Sequence, residues 1–329
     1  MTTAAVPPAG HPATGPHADR SRPRPLRRLV RSELRRILSP RPVRWALYAM
    51  PLLVGAFALA AYLGHDTDMA TAWREAEAAY RQYTAEAARR PGTGGPLSAQ
   101  YFFDDPRYQL TKASFVDLRT VLSGVAVAAL AFGLVSGGTD WSSRVILNLV
   151  AAEPRRARLF VTRGALVAAV AGVTALATSV LLVPLLLATA HLRGTTADAD
   201  AHFWTALAVI VLRGAAFVAL VALLGYCLAM LTRSLTVAFG VALAYLVLAE
   251  RLVRDYVPSL TEYHFSGITF AVLNERLLML SDKTECVGEI ACAAMREGTP
   301  ATHAFLALGL YLLPVAAAAL WRFTRTDIG

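Results

Sequence analysis

Residues 206–231 read ALAVIVLRGAAFVALVALLGYCLAML and carry a single charge, Arg213. A helix needs about 20 mostly apolar residues to cross a hydrocarbon core of roughly 30 Å, and this run exceeds that length. Arg213 is the difficulty, because a charge well inside hydrocarbon costs about 2.5–3.5 kcal/mol on insertion scales. The side chain therefore snorkels outward, faces a polar cavity, or marks the outer end of a span beginning at Gly214. Length favours the last, since Gly214–Leu231 alone supplies 18 residues, close to the minimum for crossing.

Five further apolar stretches lie at residues 45–63, 121–136, 165–190, 235–249 and 301–321. Hydrophobic residues make up 56% of the 329, above the roughly 45–50% of a soluble domain, and the excess sits in these blocks. The expected fold is an all-α polytopic membrane protein: six transmembrane helices and an N-terminal interfacial helix in one domain over residues 20–329. Residues 1–19 are rich in Pro, Ala, Gly and His, cannot bury enough apolar surface to order, and are expected to form a disordered tail. The first apolar block starts too late, and lacks the processing site, for a cleaved signal peptide.

Net charge is +9, yet residues 1–44 alone hold ten Arg against Asp19 and Glu33. Anionic headgroups and the positive-inside bias account for basicity gathered on one flank, and no aromatic-and-basic platform points to nucleic acid. A helix through Leu26, Leu29, Val30, Glu33, Leu34, Ile37 and Leu38 gathers its apolar residues on one side and its arginines on the other, the pattern of a helix lying in the membrane interface. Ser39-Pro40-Arg41-Pro42 then breaks it and turns the chain into the first span.

Loop charge sets orientation. The N-terminal segment, the loop 137–163, Arg233 and the tail after Trp321 carry 18 Arg, whereas residues 64–118, 191–203 and 250–300 carry 12 Lys plus Arg among 18 acidic residues. Both termini are therefore expected in the cytoplasm, with the chain multi-pass in the plasma membrane. The outer segment 64–118 should contain a helix over Thr71–Arg90 with Trp73, Tyr80, Tyr83 and Ala87 near one face, ended by Pro91–Pro96. The outer segment 250–300 contains a short apolar stretch, Ile268 to Leu273, that is too brief to cross and reads as a re-entrant or interfacial helix covered by protein. Cys286 and Cys292 lie in the same segment, where the redox compartment permits a disulfide; so short a loop would gain little more than about 2 kcal/mol. Cys227 reads as an ordinary small apolar residue of the fourth span. No His, Cys, Asp and Glu spacing suggests a metal site.

The loop after the second span is the most informative: Gly137-Gly138-Thr139-Asp140-Trp141-Ser142-Ser143-Arg144-Val145-Ile146-Leu147-Asn148-Leu149-Val150, then Pro154-Arg155-Arg156 and Arg158 to Arg163. Thr139 or Asp140 can cap a helix striped by Val145, Ile146, Leu149 and Val150, which Pro154 stops. Topology alone calls for the arginines; it does not call for an apolar stripe facing the cytoplasm. These residues resemble the first cytoplasmic loop of type-2 ABC exporter permeases, a short helix that docks on the ATP-binding subunit. Asp140, Leu149, Pro154, Arg155, Arg156 and Arg163 fall where that pattern expects them, although Asp140 stands where Glu is usual and Arg144-Val145 where Gly-Thr is common. The basic helix before the first span, Leu231-Thr232-Arg233-Ser234, and the closing Phe323 to Ile328 extend the likeness.

The resemblance implies that Asp140, Arg144, Ile146, Leu149, Val150, Pro154, Arg155 and Arg156 couple the spans to an ATPase, and that two such subunits, identical or homologous, line an export path. The chain itself is expected to be no enzyme and to bind no cofactor: neither Lys112 nor Lys283 has the glycine-rich spacing of a nucleotide-binding loop, so ATP and Mg would belong to the partner subunit. Membrane lipids are the other expected partners. Arg213 is the candidate pathway or interface charge, and a lipid, a hydrophobic antibiotic or an amphipathic peptide would suit the mostly apolar spans. The competing reading is a membrane scaffold or assembly protein without transport activity. An ion-driven transporter would place carboxylates near the midplane of its spans, which this sequence does not.

Overall fold

The computed structural model describes residues 26–89, 97–142, 155–197, 199–257, 260, 263–274, 279–280, 295–296 and 300–325. Among these are α1 (Leu26–Leu38), α2 (Arg41–Leu63), α3 (Met69–Arg89), α4 (Leu110–Ser142), α5 (Arg156–Arg193) and α6 (Ala201–Thr232). The chain goes on as α7 (Leu235–Ala244), which passes through a π-helical turn at Tyr245–Ala249 into α8 (Glu250–Tyr256), then α9 (Phe265–Asn274) and α10 (Ala301–Arg325). Six of these helical runs are long and apolar enough to cross a membrane. Spans one to six are α2, α4, α5, α6, α7–α8 and α10, preceded by the shorter amphipathic α1. The protein is an all-α, six-span polytopic membrane protein.

The helices run beyond the apolar blocks that announce them. Span two starts at Leu110 and takes in Lys112, Asp117 and Arg119; span four starts at Ala201, so its helix runs twelve residues beyond Arg213. Hydropathy detects only the part that must be apolar, whereas i to i−4 hydrogen bonding continues past the hydrocarbon for as long as no breaker intervenes. Asp200 supplies the true start of span four, its carboxylate accepting from the Phe203 N–H at 2.8 Å as an N-cap. For the same reason Thr139 and Asp140 do not cap a new helix. They continue span two, and the Thr139 hydroxyl donates to the Val135 carbonyl at 2.9 Å.

Span four is the centre of the bundle: Phe217, Val218, Val221, Ala222 and Tyr226 are all buried. It approaches span two backbone to backbone. A Cβ on Gly133 would stand 2.0 Å from the Ala222 carbonyl oxygen, and one on Gly225 would stand 2.5 Å from that of Leu130. Small residues that let backbones meet are the usual means of packing helices in lipid, where apolar burial gives no preference for protein over acyl chain. Cys227, also buried here, is the small apolar residue it was read to be.

The two ends of the bundle differ, one carrying α1 and the other α3. At the α3 end, Tyr108–Gln109 (β1) pairs in parallel with Gly194–Thr195 (β2), joining the start of span two to the end of span three. α3 occupies the stretch expected to be helical, and its aromatic face meets a 3-10 turn at Ala99–Phe102: Trp73 stacks on Phe103 with centroids 4.3 Å apart, and Tyr83 lies 5.5 Å from Phe102. α9 is the short apolar helix expected near Ile268. Ile268, Ala271, Val272 and Leu273 are buried, which covers the non-spanning backbone with protein. A further pair of two-residue strands, β3 (Met279–Leu280) and β4 (Met295–Arg296), is antiparallel. The tail 1–19 and the pair Cys286 and Cys292 lie outside the described residues.

Candidate functional site

Of the expected coupling residues, Arg144, Ile146, Leu149, Val150 and Pro154 lie outside the described residues. Asp140 falls in the last turn of span two, and its side chain also lies outside them. Arg155 occupies the N-cap position of span three, and Arg156, in its first turn, reaches toward the Thr324 carbonyl at 3.5 Å. The described structure thus fixes both anchorages of the loop.

What holds those anchorages is a set of arginines at the α1 end. Arg163 of span three is buried, donates to the Ser136 carbonyl of span two at 3.0 Å, and lies 3.9 Å from the carboxylate of Glu33 on α1, which is buried as well. A carboxylate is seldom buried unless a cation faces it, so α1 is seated on the bundle through this contact. Arg322 donates to the Leu231 carbonyl at 2.6 Å, and Arg233 to that of Arg322 at 3.2 Å. Both acceptors lie in the last turn of a span, where carbonyls lack helical partners and the helix dipole favours cations. Arg233 adopts φ 58° in the turn between spans four and five and lays its guanidinium 4.8 Å from the centre of the Trp141 ring. Phe323 meets the same indole edge to face at 6.3 Å. Burial and the neighbouring Arg322 lower the pKa of Arg233 from its ordinary value.

Sequence reasoning left Glu33 among the apolar stripe of α1 without a role, and Arg163 as an interfacial arginine. Their meeting spans 130 positions, and the only signal for it was an acid standing in an apolar stripe. It missed Arg119 altogether. Of the 32 lysines and arginines, only Arg119 and Arg213 lie outside the flanking segments whose charge sets orientation. Both line one cavity of about 360 Å³ between spans two and four toward the α3 end, with Thr111, Phe115, Asp200 and His202. The Nε of Arg119 donates to the Leu273 carbonyl at 2.9 Å, closing the C-terminal end of α9, and its guanidinium lies 5.6 Å from the Phe115 ring. Of the three readings open for Arg213, the polar cavity is the one its surroundings fit.

A second cavity, about 340 Å³, lies between spans one, two and three and is almost wholly apolar, with Leu47, Met50, Val125, Phe132, Val135 and Val170 in its wall. The hydroxyl of Thr174 beside it is bonded to the Val170 carbonyl. This cavity can take apolar surface and has little with which to orient a ligand. Among the described residues no group of His, Cys, Asp and Glu could hold a metal ion.

The fold and these sites define a multi-pass, all-α membrane protein. No family model matches the chain, and no curated protein matches it.

Proposed function

We propose that the chain is the membrane-spanning permease of an ABC exporter, in which a separate ATP-binding subunit hydrolyses ATP and two membrane subunits, two copies of this chain or this chain and a homologue, enclose the path. The chain has no ATPase site of its own in this reading, and the α1 end, with its arginine excess, faces the cytoplasm.

One observation carries the proposal. Glu33 of α1, Arg163 of span three and Ser136 of span two meet at a single buried point, on the two spans that flank residues 143–154. A displacement of α1 reaches spans two and three through one guanidinium. A coupling device needs such a junction between α1 and the spans. Spans one and five bury little of their surface within the chain, which leaves apolar faces for lipid or a second copy.

Copurification in mild detergent is the test. A stoichiometric nucleotide-binding partner whose ATPase activity depends on this chain supports the permease. A chain that purifies intact with no such partner supports the scaffold. Leu149→Asp or Val150→Asp should abolish ATP-dependent transport while leaving insertion unchanged; undiminished transport at normal expression removes the docking role from the loop.

A further inference from the structure

The cavity beneath Arg119 and Arg213 is unexplained by the coupling reading, and its chemistry points elsewhere. We infer that it is a binding site for the anionic head, phosphate or carboxylate, of an amphiphile approaching from the α3 side of the membrane.

Arginine is costly within an apolar span, and Arg213 stands in one; Arg119, 94 positions earlier on the outer part of span two, lines the same cavity. Arg119 has a structural task, the Leu273 carbonyl. The cavity adds a second arginine, from span four. Among the described lining the charges are two guanidiniums and one carboxylate, Asp200, so positive charge is in excess. A cavity of about 360 Å³ falls at the small end of the ligand-pocket range, roughly 300–1,000 Å³, enough for a head group and too small for a whole phospholipid. Guanidinium is the group that meets phosphate and carboxylate oxygens with two parallel hydrogen bonds.

The apolar half of the ligand is argued from the walls. Phe115 and Phe203 meet edge to face at 5.3 Å, and Ile210 completes that side. Val209 and Leu212, next to Ile210 and Arg213 on span four, are 45% and 63% exposed, so a chain leaving the cavity runs over apolar helix surface. Arg213 lies twelve residues below the start of span four, about 18 Å at 1.5 Å per residue, which sets the head group beneath the end of the helix. The inference stands apart from the exporter reading, since a permease and a scaffold could equally hold such a group.

The test uses the full chain in a neutral detergent, titrated calorimetrically with dihexanoyl phosphatidylglycerol, dihexanoyl phosphatidylcholine and inorganic phosphate. The anionic lipid should bind at least tenfold more tightly than the zwitterionic one. Arg213→Gln should erase that preference, and Arg213→Lys should keep part of it. Inorganic phosphate binding with the same dependence on Arg213 assigns the site to a soluble anion; binding of the lipid alone assigns it to an amphiphile. Equal affinity for the two lipids, or a preference that survives Arg213→Gln, overturns the inference. Should Arg213→Gln fail to fold, a phosphatidylglycerol carrying a diazirine at its head group decides the matter on the wild-type chain. Cross-links must fall between Thr111 and Arg119 or between Asp200 and Arg213, and labelling confined to other peptides overturns the site.

Discussion

The two ends of the bundle are fastened by different chemistry. At the α1 end long arginine side chains reach to carbonyls and rings of other helices: Arg163 to Ser136 and Glu33, Arg322 to Leu231, Arg233 to Arg322 and Trp141. At the α3 end Arg119 and Arg193 likewise reach the carbonyls of Leu273 and His65, but short backbone pairing is added to them. β1 and β2 pair directly, the Asp66 N–H donates to the Pro106 carbonyl at 2.9 Å, and Tyr108, wholly buried, donates its hydroxyl to Asp117 at 2.7 Å. Burial, and then Asp117, push the Tyr108 phenol well above its ordinary pKa, so it remains a donor. Backbone pairs admit one register, whereas guanidiniums offer several donors and can exchange one carbonyl for the next. The difference teaches where movement is cheapest, and it is the end at which we propose that the ATPase docks.

The largest test of this contrast is Glu33→Ala. Removing one partner of a buried ion pair costs about 3–5 kcal/mol; here the Ser136 carbonyl still faces Arg163, so the loss should be near the lower figure, about 3 kcal/mol, read by SDS titration in mixed micelles. The paired replacement Glu33→Leu with Arg163→Met should recover most of that stability and none of the transport. A double variant that transports normally would reduce the junction to packing.

The counterpart at the α3 end is Gly194→Val. A Cβ there would stand 2.0 Å from the Tyr108 carbonyl oxygen, so the ladder must open. Overpacking of this kind costs about 1–3 kcal/mol. Amide exchange should then quicken in Tyr108–Gln109 and remain unchanged around Arg233. Quickened exchange at both ends would show that they are not independent, and the contrast would fall.

Six spans and the amphipathic α1 were legible because length and hydropathy are local properties of the sequence. The ends of the spans were not: Lys112, Asp117 and Arg119 read as loop, yet they continue a helix whose outer turns need no apolar face. Arg213 shows the same limit, since a charge in an apolar run fixes neither depth nor neighbour until span two is placed beside it. Glu33 with Arg163, and Arg119 with Arg213, are pairings over 130 and 94 positions that no periodicity records. In each case the trace in the sequence was a charge that the loops or the stripe could not use.

Trp141 tests the α1 end without touching its ion pair. Replacement by Leu keeps apolar bulk and removes the ring beneath Arg233, and a cation over an aromatic face is worth about 0.5–1 kcal/mol where water has access. A loss of that size is expected, equal at pH 7 and pH 4, because arginine keeps its charge and a carbonyl does not titrate over that range. A loss that varied with pH would mean that a carboxylate shares the site.

Asp105 should behave in the opposite way and by the smallest amount. It lies beside β1 at the α3 end, where hydrogen bonds and charge from Arg107, at 2.8 Å, hold its carboxyl down to about 2 against the ordinary 3.8. The folded pKa lies below the unfolded one, so the ionised carboxylate stabilises the fold above about pH 4, and that contribution drains away as pH falls toward 2. The Arg107 side chain is 37% exposed, so solvent and salt screen the pair and the effect on stability is small. The gap in Tm between the wild type and Asp105→Asn should therefore be constant from pH 8 to pH 5, narrow below pH 4 and close near pH 2, while the gap for Trp141→Leu stays level across the part of that range in which the protein remains folded. If the two gaps instead shrank together, acid would be loosening both ends at once, and the separate fastening of the α3 end by backbone pairs would have no independent support.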